Sequence, residues 1–185
     1  SVRSIACHPE ILSFLDIVYG RECFPFQTLN FVFGSEQDTH SDSVHFHSLP
    51  YGFMCGVWVA LEDVNEDSGP LFYYPESHRF PYLSAKDLYL YNSDIEAVEH
   101  PQLFFREKWI KYINESKLKK EVFLAKKGDV FIWHSNLLHG GSKLNNDRLT
   151  RYSQVTHYFF KNCSYHTPML NTIDAENYGP QWRKP

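Results

Sequence analysis

Short runs of β-branched and aromatic residues alternate with turn-forming residues along most of the chain. Such runs predict β-strands, because branched and flat side chains pack well on a pleated surface. The expected strands are FQTLNFVF (26–33), MCGVWVALEDV (54–64), PLFYYP (70–75), EVFLA (121–125), VFIWH (130–134) and RYSQVTHYFF (151–160). The last run alternates most clearly between its two faces, so it is the best-defined strand.

The pattern changes between residues 84 and 120, where charged residues recur at helical intervals and Pro101 interrupts the run. This segment predicts a partly helical insertion, and further helices are expected before Phe24. Strands about ten residues apart that are interrupted once are typical of a sandwich or an open barrel. We therefore expect a mainly β fold with a jelly-roll as the leading architecture, flanked by helices.

Composition narrows the classes of function. Hydrophobic residues make up 43% of the chain and charged residues 22%, which is typical of a globular protein. The net charge of −4 provides no basic face for phosphate groups, so nucleic acid is not an expected partner. No apolar run approaches the roughly 20 residues that cross a bilayer, so we expect no membrane partner. Nothing in the pattern specifies an oligomeric state.

The cysteines bear on the cellular compartment. Cys7, Cys23, Cys55 and Cys163 are scattered and include no CxxC pair, which argues against a zinc knuckle or a disulfide framework. We therefore expect a cytoplasmic protein. The chain begins at Ser1 without a methionine, which hints at a longer parent whose first segment is missing.

Two residues in DTHSDSVHFHSLP (38–50) predict a metal site. In a strand, residues i and i+2 point to the same face, so His40 and Asp42 can converge on one ion. A third ligand is expected in HSNLLHGGS (134–142), where His139 precedes two glycines that let the backbone bend close to the ion. Two histidines and one carboxylate on one face of an octahedron leave three positions open, as in iron(II) oxygenases.

The last strand predicts an anion site. Arg151 and Ser153 are two positions apart and therefore share a face. An arginine that points into a barrel is costly unless it meets an anion. A guanidinium makes two parallel hydrogen bonds to a carboxylate, and a hydroxyl beside it adds a third. The pair thus fits a dicarboxylate whose α-keto acid end chelates the metal.

The motifs together resemble a known family. Their order is HSD (40–42), Trp58 within GVWVALEDVNEDSGPLFYYPESHR (56–79), GDVFIWHSNLLHGGS (128–142) and RYSQVTHYFF (151–160). From about Phe26 to Phe160 the chain is similar to the phytanoyl-CoA dioxygenase family of iron(II)- and 2-oxoglutarate-dependent oxygenases. The resemblance implies a double-stranded β-helix, a jelly-roll and cupin-like variety, in a single dioxygenase domain over residues 1–185.

The resemblance also implies an activity. Members of the family use Fe(II), 2-oxoglutarate and O2, and ascorbate supports activity. The expected reaction is hydroxylation of an unactivated C–H bond of a small molecule, with release of succinate and CO2. Relatives that halogenate carry a small residue at the carboxylate position, so Asp42 favours hydroxylation. The alternative is a metal-binding, cupin-like barrel without 2-oxoglutarate chemistry, which would not need Arg151 beside Ser153.

Individual roles follow from the resemblance. It implies His40, Asp42 and His139 as the catalytic iron ligands, and it favours His139 over His134 as the third ligand. The implied cosubstrate contacts are Arg151 at the distal carboxylate, Trp58, Gln27 on the strand before HSD, and a serine. That serine is either Ser153 of the RxS pattern or Ser142 just after the distal histidine.

Three residues are candidates for the substrate pocket: His45, His47 and Tyr73. In the family the segment after HSD usually borders the substrate, although a surface loop is an equal alternative for His45 and His47. Tyr73 and Tyr74 alternate faces, so at most one of them lines the cavity. His157 shares the face of Ser153, and we expect a structural histidine there rather than a ligand.

Overall fold

The computed structural model describes residues 1–175, and they form a mainly β protein as predicted. The strands of this part are β1 (Cys23–Phe31), β2 (His47–Leu49), β3 (Met54–Ala60), β4 (Leu71–Tyr73), β5 (Glu121–Phe123), β6 (Val130–His134), β7 (His139–Gly141), β8 (Ser153–Phe160) and β9 (Ser164–His166). The α-helices are α1 (Val2–Ala6), α2 (Pro9–Tyr19), α3 (Asn92–Glu96) and α4 (Leu103–Ser116). Residues 176–185 of the predicted domain lie outside the described residues.

The strands pair antiparallel in three sheets. The largest has the order β1-β8-β3-β6, a second has the order β5-β4-β7, and β2 pairs with β9. Trp58, Trp133 and Val155 of the first sheet pack with Leu71 of the second in one hydrophobic cluster. The two larger sheets therefore face each other, as in the jelly-roll that the strand pattern predicts.

Strand β3 is apolar on both faces because both faces are covered. Trp58 belongs to the cluster between the sheets, while Cys55 and Val57 pack with Leu15 of α2 on the outer face. The continuous hydrophobic run of β3 is typical of a central strand that is covered on both faces. The strand ends at Ala60 rather than at the predicted Val64.

Strand β8 is buried along its whole length, and its side chains alternate between the interior and the outer face of the sheet. One face contributes to the site, and the other holds the first helix. Gln154 donates to the carbonyl of Val2 at 3.0 Å, and the Tyr158 hydroxyl donates to the carbonyl of Ala6 at 2.7 Å. These bonds hold α1 on the outer face, where helices were predicted. Val155 and His157, at alternate positions, point to the interior.

The segment 84–120 is a partly helical insertion, as expected, and contains a 3₁₀ turn, α3 and α4. Phe105, Trp109 and Ile113 recur every four residues along α4, so they share one buried face. That face packs with Val44 and Leu138, which lie beside two of the predicted metal ligands. The insertion therefore supports the two segments that carry the site.

No helix within residues 1–175 is long and apolar enough to cross a membrane. Cys7, Cys23, Cys55 and Cys163 are all free thiols.

Candidate metal centre

The three predicted metal ligands meet in space. His40, Asp42 and His139 each offer one ligand atom, and these atoms lie within 4.8 Å of one another. Asp42 Oδ1 lies 3.7 Å from His40 Nε2 and 3.9 Å from His139 Nε2. All three side chains are buried. This set of two imidazoles and one carboxylate suits a divalent transition metal such as iron(II).

The backbone brings His40 and His139 together through an isolated antiparallel bridge. The amide of His40 donates to the carbonyl of His139 at 2.9 Å, and the amide of His139 donates back at 3.0 Å. Directly opposed residues in such a pair have close side chains. The bridge therefore fixes the separation of the two rings, whose centroids are 4.4 Å apart.

Asp42 reaches the same point by a turn and not along a strand. It begins a 3₁₀ helix, Asp42–Val44, whose first turn is capped by the hydroxyl of Ser41. The hydroxyl of Ser43 donates to the side-chain oxygen of Asn136 at 2.9 Å, which ties this turn to the segment before His139. The predicted convergence of His40 and Asp42 is correct, but the strand geometry expected to produce it is wrong.

The ring hydrogen bonds leave the metal-facing nitrogens as acceptors. His40 Nδ1 lies 2.8 Å from the carbonyl of Asp38, and His139 Nδ1 lies 3.0 Å from the carbonyl of Leu137. A carbonyl only accepts, so each Nδ1 carries the proton and each Nε2 keeps its lone pair. Such bonds orient histidine ligands and make them better donors to a metal.

The protonation states of His40 and Asp42 at neutral pH also suit a metal cation. Burial, together with the nearby His139, lowers the pKa of His40 to about 4 against the opposing effect of Asp42. Burial tends to raise the pKa of Asp42, but its contacts with His139 and His157 outweigh burial and hold this pKa well below its ordinary value. Asp42 is therefore an anion and His40 is neutral, which is the state that binds metal.

The second oxygen of Asp42 has its own partners. Trp133 Nε1 donates to Asp42 Oδ2 at 2.7 Å, and His157 Nε2 lies 3.4 Å from the same oxygen. His157 Nδ1 lies 3.0 Å from Oε1 of Gln27, the residue predicted to contact the cosubstrate. Sequence reasoning did not identify Trp133, and it assigned His157 a structural role without this contact.

Arg151 is buried in the interior near the metal centre, with 3% of its surface exposed. It donates to the carbonyl of Gly69 at 2.8 Å, while its Nε has no hydrogen-bond partner. Burial lowers its pKa to about 10, so it stays cationic at neutral pH. Within the described chain no carboxylate forms an ion pair with it. A buried cation without a counter-charge favours an anionic ligand.

One cavity of about 240 Å³ contains both features. Its walls include His40, Asp42 and His139 together with Arg151. Of the other predicted residues, the walls also include Gln27, Trp58 and His45. The apolar part of the wall comes from Leu29, Phe31, Phe46, Leu71 and Val155. The metal centre and Arg151 therefore line the same cavity.

Two of the predicted substrate residues lie elsewhere. His47 lines a separate cavity with Tyr51 and Tyr82. Tyr73, in β4, donates its hydroxyl to Glu121 at 2.9 Å. The structure thus brings His45, but neither His47 nor Tyr73, to the walls of the central cavity as far as the described residues define them.

The two candidate serines differ in their surroundings. Ser153 is fully buried, and its hydroxyl has no hydrogen-bond partner in the described chain. It lies between Arg151 and Val155, two lining residues on alternate positions of the same segment. Ser142 is half-buried after β7, and its amide donates to the carbonyl of Pro70 at 2.8 Å. Neither serine is among the cavity-lining residues within 1–175.

The competing third ligand, His134, points away from the metal centre. Its Nδ1 accepts from the amide of Asn136 at 3.1 Å, and its Nε2 lies 3.4 Å from the Tyr82 hydroxyl. With His47 and His166 it forms what we call the peripheral histidine cluster. The ring centroids of His47 and His166 are 5.2 Å apart.

The two glycines after His139 have a packing role and not the predicted bending role. They lie in β7, and a Cβ on Gly140 would be 2.6 Å from the carbonyl oxygen of Gln37. A Cβ on Gly141 would be 2.5 Å from the hydroxyl of Ser35. The missing side chains let segment 35–37 cross β7 closely and form part of the cavity wall.

The fold and the site together define a class: a double-stranded β-helix protein with a centre of two histidines and one carboxylate. The model of the phytanoyl-CoA dioxygenase (PhyH) family matches residues 10–151. The chain therefore belongs to that family, as its motifs predicted.

Curated relatives match a shorter stretch. Phytanoyl-CoA dioxygenase domain-containing protein 1 of Danio rerio is 42% identical over 45 residues, which cover 24% of this chain and 16% of that protein. The protein of the same name from Mus musculus is 37% identical over 46 residues, or 25% of this chain and 16% of the relative. The matched stretch is thus a small part of the relatives' length.

Solved structures share the fold at low identity. The epimerase SnoN, solved with Fe3+, alpha ketoglutarate and nogalamycin RO, is 18% identical with a TM-score of 0.64 over 96% of this chain and 67% of its own. The carbocyclase SnoK gives 18% identity and a TM-score of 0.67 over 91% and 62%. EctD from S. alaskensis with bound Fe gives 18% and 0.61 over 86% and 53%.

Proposed function

We propose that this protein is an iron(II)- and 2-oxoglutarate-dependent dioxygenase that hydroxylates an unactivated C–H bond of a small molecule and releases succinate and CO2. The observation that carries the proposal is Arg151, a buried cation that shares one cavity with the His40, Asp42 and His139 centre. Membership of the phytanoyl-CoA dioxygenase family supports it. The structures named for iron and alpha ketoglutarate among the neighbours support the same cofactors.

The residues present fit both cofactors. His40, Asp42 and His139 would hold iron(II) through two imidazole nitrogens and one carboxylate oxygen. When bound, iron(II) supplies the open coordination positions at which the keto acid chelates and dioxygen is activated. Ascorbate would support activity by keeping the iron reduced.

Arg151 would hold the distal carboxylate of 2-oxoglutarate. Its guanidinium carbon lies 5.7 Å from the ring centre of Phe31 and 5.9 Å from that of Trp58, so two aromatic rings shield it from water. A low-dielectric surrounding strengthens a charged hydrogen bond. Ser153, with its unpartnered buried hydroxyl, is the serine that we assign to the same carboxylate.

The substrate extends beyond the central cavity in this proposal. A volume of about 240 Å³ is below the roughly 300–1,000 Å³ of typical ligand sites, and the cosubstrate takes much of it. A neighbouring cleft shares Ser35, Gln37 and His40 with the cavity. It is lined further by His100 and Arg106, so the insertion would contact the substrate, as would His45.

The proposal includes a single domain over residues 1–185, a small-molecule substrate and a cytoplasmic location. Some structural neighbours are named as an epimerase and a carbocyclase, so product analysis has to separate hydroxylation from other outcomes. Asp42 as the carboxylate ligand favours hydroxylation over halogenation.

The test uses purified protein with iron(II), ascorbate and 2-oxoglutarate. We expect metal-dependent 2-oxoglutarate binding and slow succinate release in the absence of substrate, both lost in His139→Ala. Binding of metal without any binding of 2-oxoglutarate would contradict the proposal and support the cupin-like metal-binding alternative. Equal metal content in wild type and His139→Ala would contradict both.

A further inference from the structure

We propose that Trp133 and His157 are positioning residues that hold Asp42 Oδ2 away from the metal, so that the carboxylate binds through Oδ1 alone. The inference deepens the proposed function and rests on the metal site that it assumes. Neither residue would touch the metal or the substrate to play this part. Each would act through Asp42.

The two oxygens of Asp42 have different surroundings. Oδ2 accepts from Trp133 Nε1 at 2.7 Å and lies 3.4 Å from His157 Nε2. Oδ1 faces the Nε2 atoms of His40 and His139 at 3.7 and 3.9 Å. A hydrogen bond to a charged acceptor is short and strong, so the bond from Trp133 Nε1 fixes the rotation of the carboxylate, and His157 contacts the same oxygen from a second side. The fixed rotation points Oδ1 at the gap between the histidines.

Trp133 and His157 lie in one row across the large sheet. Gln27 of β1 pairs with His157 of β8, His157 pairs with Gly56 of β3, and Gly56 pairs with Trp133 of β6. Gly56, which has no side chain, stands between His157 and Trp133 in this row. The carboxylate of Asp42 contacts both flanking residues, from a chain segment outside this sheet.

Gly56 also fixes the indole. A Cβ at this position would lie 2.3 Å from Trp133 Cε2, far inside contact distance. The ring of Trp133 therefore occupies the space above Gly56 and packs 4.7 Å from the ring of His139. Because packing holds the indole in place, the N–H is directed at Asp42 before any metal binds.

The consequence concerns the number of open coordination positions. With three protein ligand atoms, a metal held by His40, Asp42 and His139 would have three further positions for the keto acid and dioxygen. A carboxylate free to rotate can bind a metal through both oxygens and would take one of these positions. Trp133 and His157 prevent this by occupying Oδ2.

The test compares Trp133→Phe and His157→Leu with wild type by Co(II) calorimetry and by the visible spectrum of bound Co(II). Trp133→Phe keeps an aromatic ring and removes the N–H. We expect each variant to bind Co(II) about 10–100-fold more weakly, as is typical when a partner of a metal ligand is lost. We also expect a changed Co(II) spectrum and weaker 2-oxoglutarate binding by the metal-loaded protein.

Trp109→Phe is the matched control, because Trp109 is a buried tryptophan of the helical insertion outside the cavity wall. It should bind Co(II) within about 2-fold of wild type. Gly56→Ala gives a second perturbation, since the added methyl displaces the indole while the N–H remains. We expect it to weaken Co(II) binding and to change the spectrum as Trp133→Phe does.

The outcomes separate the inference from the proposed function. Wild type that binds no Co(II) at its histidines would contradict the proposed function itself. Wild type that binds Co(II), with Trp133→Phe and His157→Leu matching its affinity and spectrum, would overturn only the positioning role. Lower thermal stability of both apo-proteins with an unchanged Co(II) spectrum would mean a structural role alone and would also overturn it.

Discussion

Two groups of buried or half-buried histidines in the described chain differ in what surrounds them. In the central group, His40, His139 and His157 all face the carboxylate of Asp42 at 3.4–3.9 Å. In the peripheral histidine cluster, His47 and His134 form no ion pair with a carboxylate of residues 1–175. His47 instead packs against aromatic rings, with centroids 4.4 Å from Tyr82 and 4.6 Å from Tyr51.

The difference shows what a metal site needs beyond burial and histidine count. Burial lowers the pKa of both His40 and His47, to about 4 and about 3, so both rings are neutral at pH 7. The central group adds an anion, Asp42, and backbone carbonyls that orient the ring nitrogens of His40 and His139 toward one point. Metal binding is therefore expected at the central group.

The largest contrast is expected from removing the anion. Asp42→Asn replaces the one charged ligand by a neutral amide, so Co(II) affinity should fall by at least about 100-fold. His134→Gln, in the peripheral cluster, should leave this affinity within about 2-fold. Isothermal calorimetry with Co(II) measures both. A comparable loss in the two variants would erase the distinction between the groups.

The second contrast is charge at the far end of the central cavity. Arg151→Met keeps most of the side-chain volume and removes the guanidinium, so 2-oxoglutarate should bind the Co(II)-loaded protein about 100-fold more weakly. Stability of the apo-protein should hold or rise, because an uncompensated buried charge is gone. Arg148→Met, at an exposed position nearby, is the control. Equal 2-oxoglutarate affinity in both variants would exclude Arg151 as the anchor.

The peripheral cluster should appear in the pH dependence of stability. The folded-state pKa of His47 is about 3 and the unfolded value about 6.5, so protons favour the unfolded state. Above about pH 6.5 the neutral His47 ring makes its full contribution to the free energy of unfolding. Below that pH the contribution falls by about 1.4 kcal/mol per pH unit towards pH 3. At pH 5 the loss is about 2 kcal/mol.

Urea unfolding of wild type and His47→Phe at pH 5, 6 and 7 measures this contribution. Between pH 5 and 6, the free energy of unfolding of the variant should rise with pH by about 1.4 kcal/mol per pH unit less than that of wild type. Saturating Co(II) should leave the difference between the two proteins unchanged, because His47 lies outside the central cavity. Identical slopes in the two proteins would refute the buried, neutral state of His47.

The smallest expected effect distinguishes the two serines. Ser153→Ala removes a buried hydroxyl beside Arg151, so 2-oxoglutarate affinity should fall roughly 5-fold. Ser142→Ala should change it less than about 2-fold. Calorimetry of the Co(II)-loaded variants measures both. A larger loss in Ser142→Ala would move the serine contact to the segment after His139.

Local patterns were enough for much of the fold and for part of the site. Alternation along 151–160 predicted β8, and it also placed Arg151 and Ser153 on one face. The spacing of His40 and Asp42 predicted that they share an ion, because the two residues are neighbours in the chain. The choice of His139 over His134 required the family resemblance, since its meeting with His40 depends on a bridge between distant segments.

The contacts that the sequence did not predict depend on how strands far apart in the chain are paired. Trp133 and His157 meet Asp42 because three strands align them with Gly56, and no local pattern encodes that alignment. Asp42 turns inward in a 3₁₀ helix that a hydrogen bond to remote Asn136 stabilises. His45 and His47 have strand-like spacing, yet β2 begins only at His47, so the two residues reach different cavities.

The most direct test of the central claim is a crystal structure grown without oxygen with Mn(II) and 2-oxoglutarate, with anomalous data to locate the metal. We expect one anomalous peak bonded to His40, Asp42 and His139, and 2-oxoglutarate that chelates it with its far carboxylate on Arg151. A metal peak in the peripheral histidine cluster alone, or 2-oxoglutarate bound away from Arg151, would contradict the account.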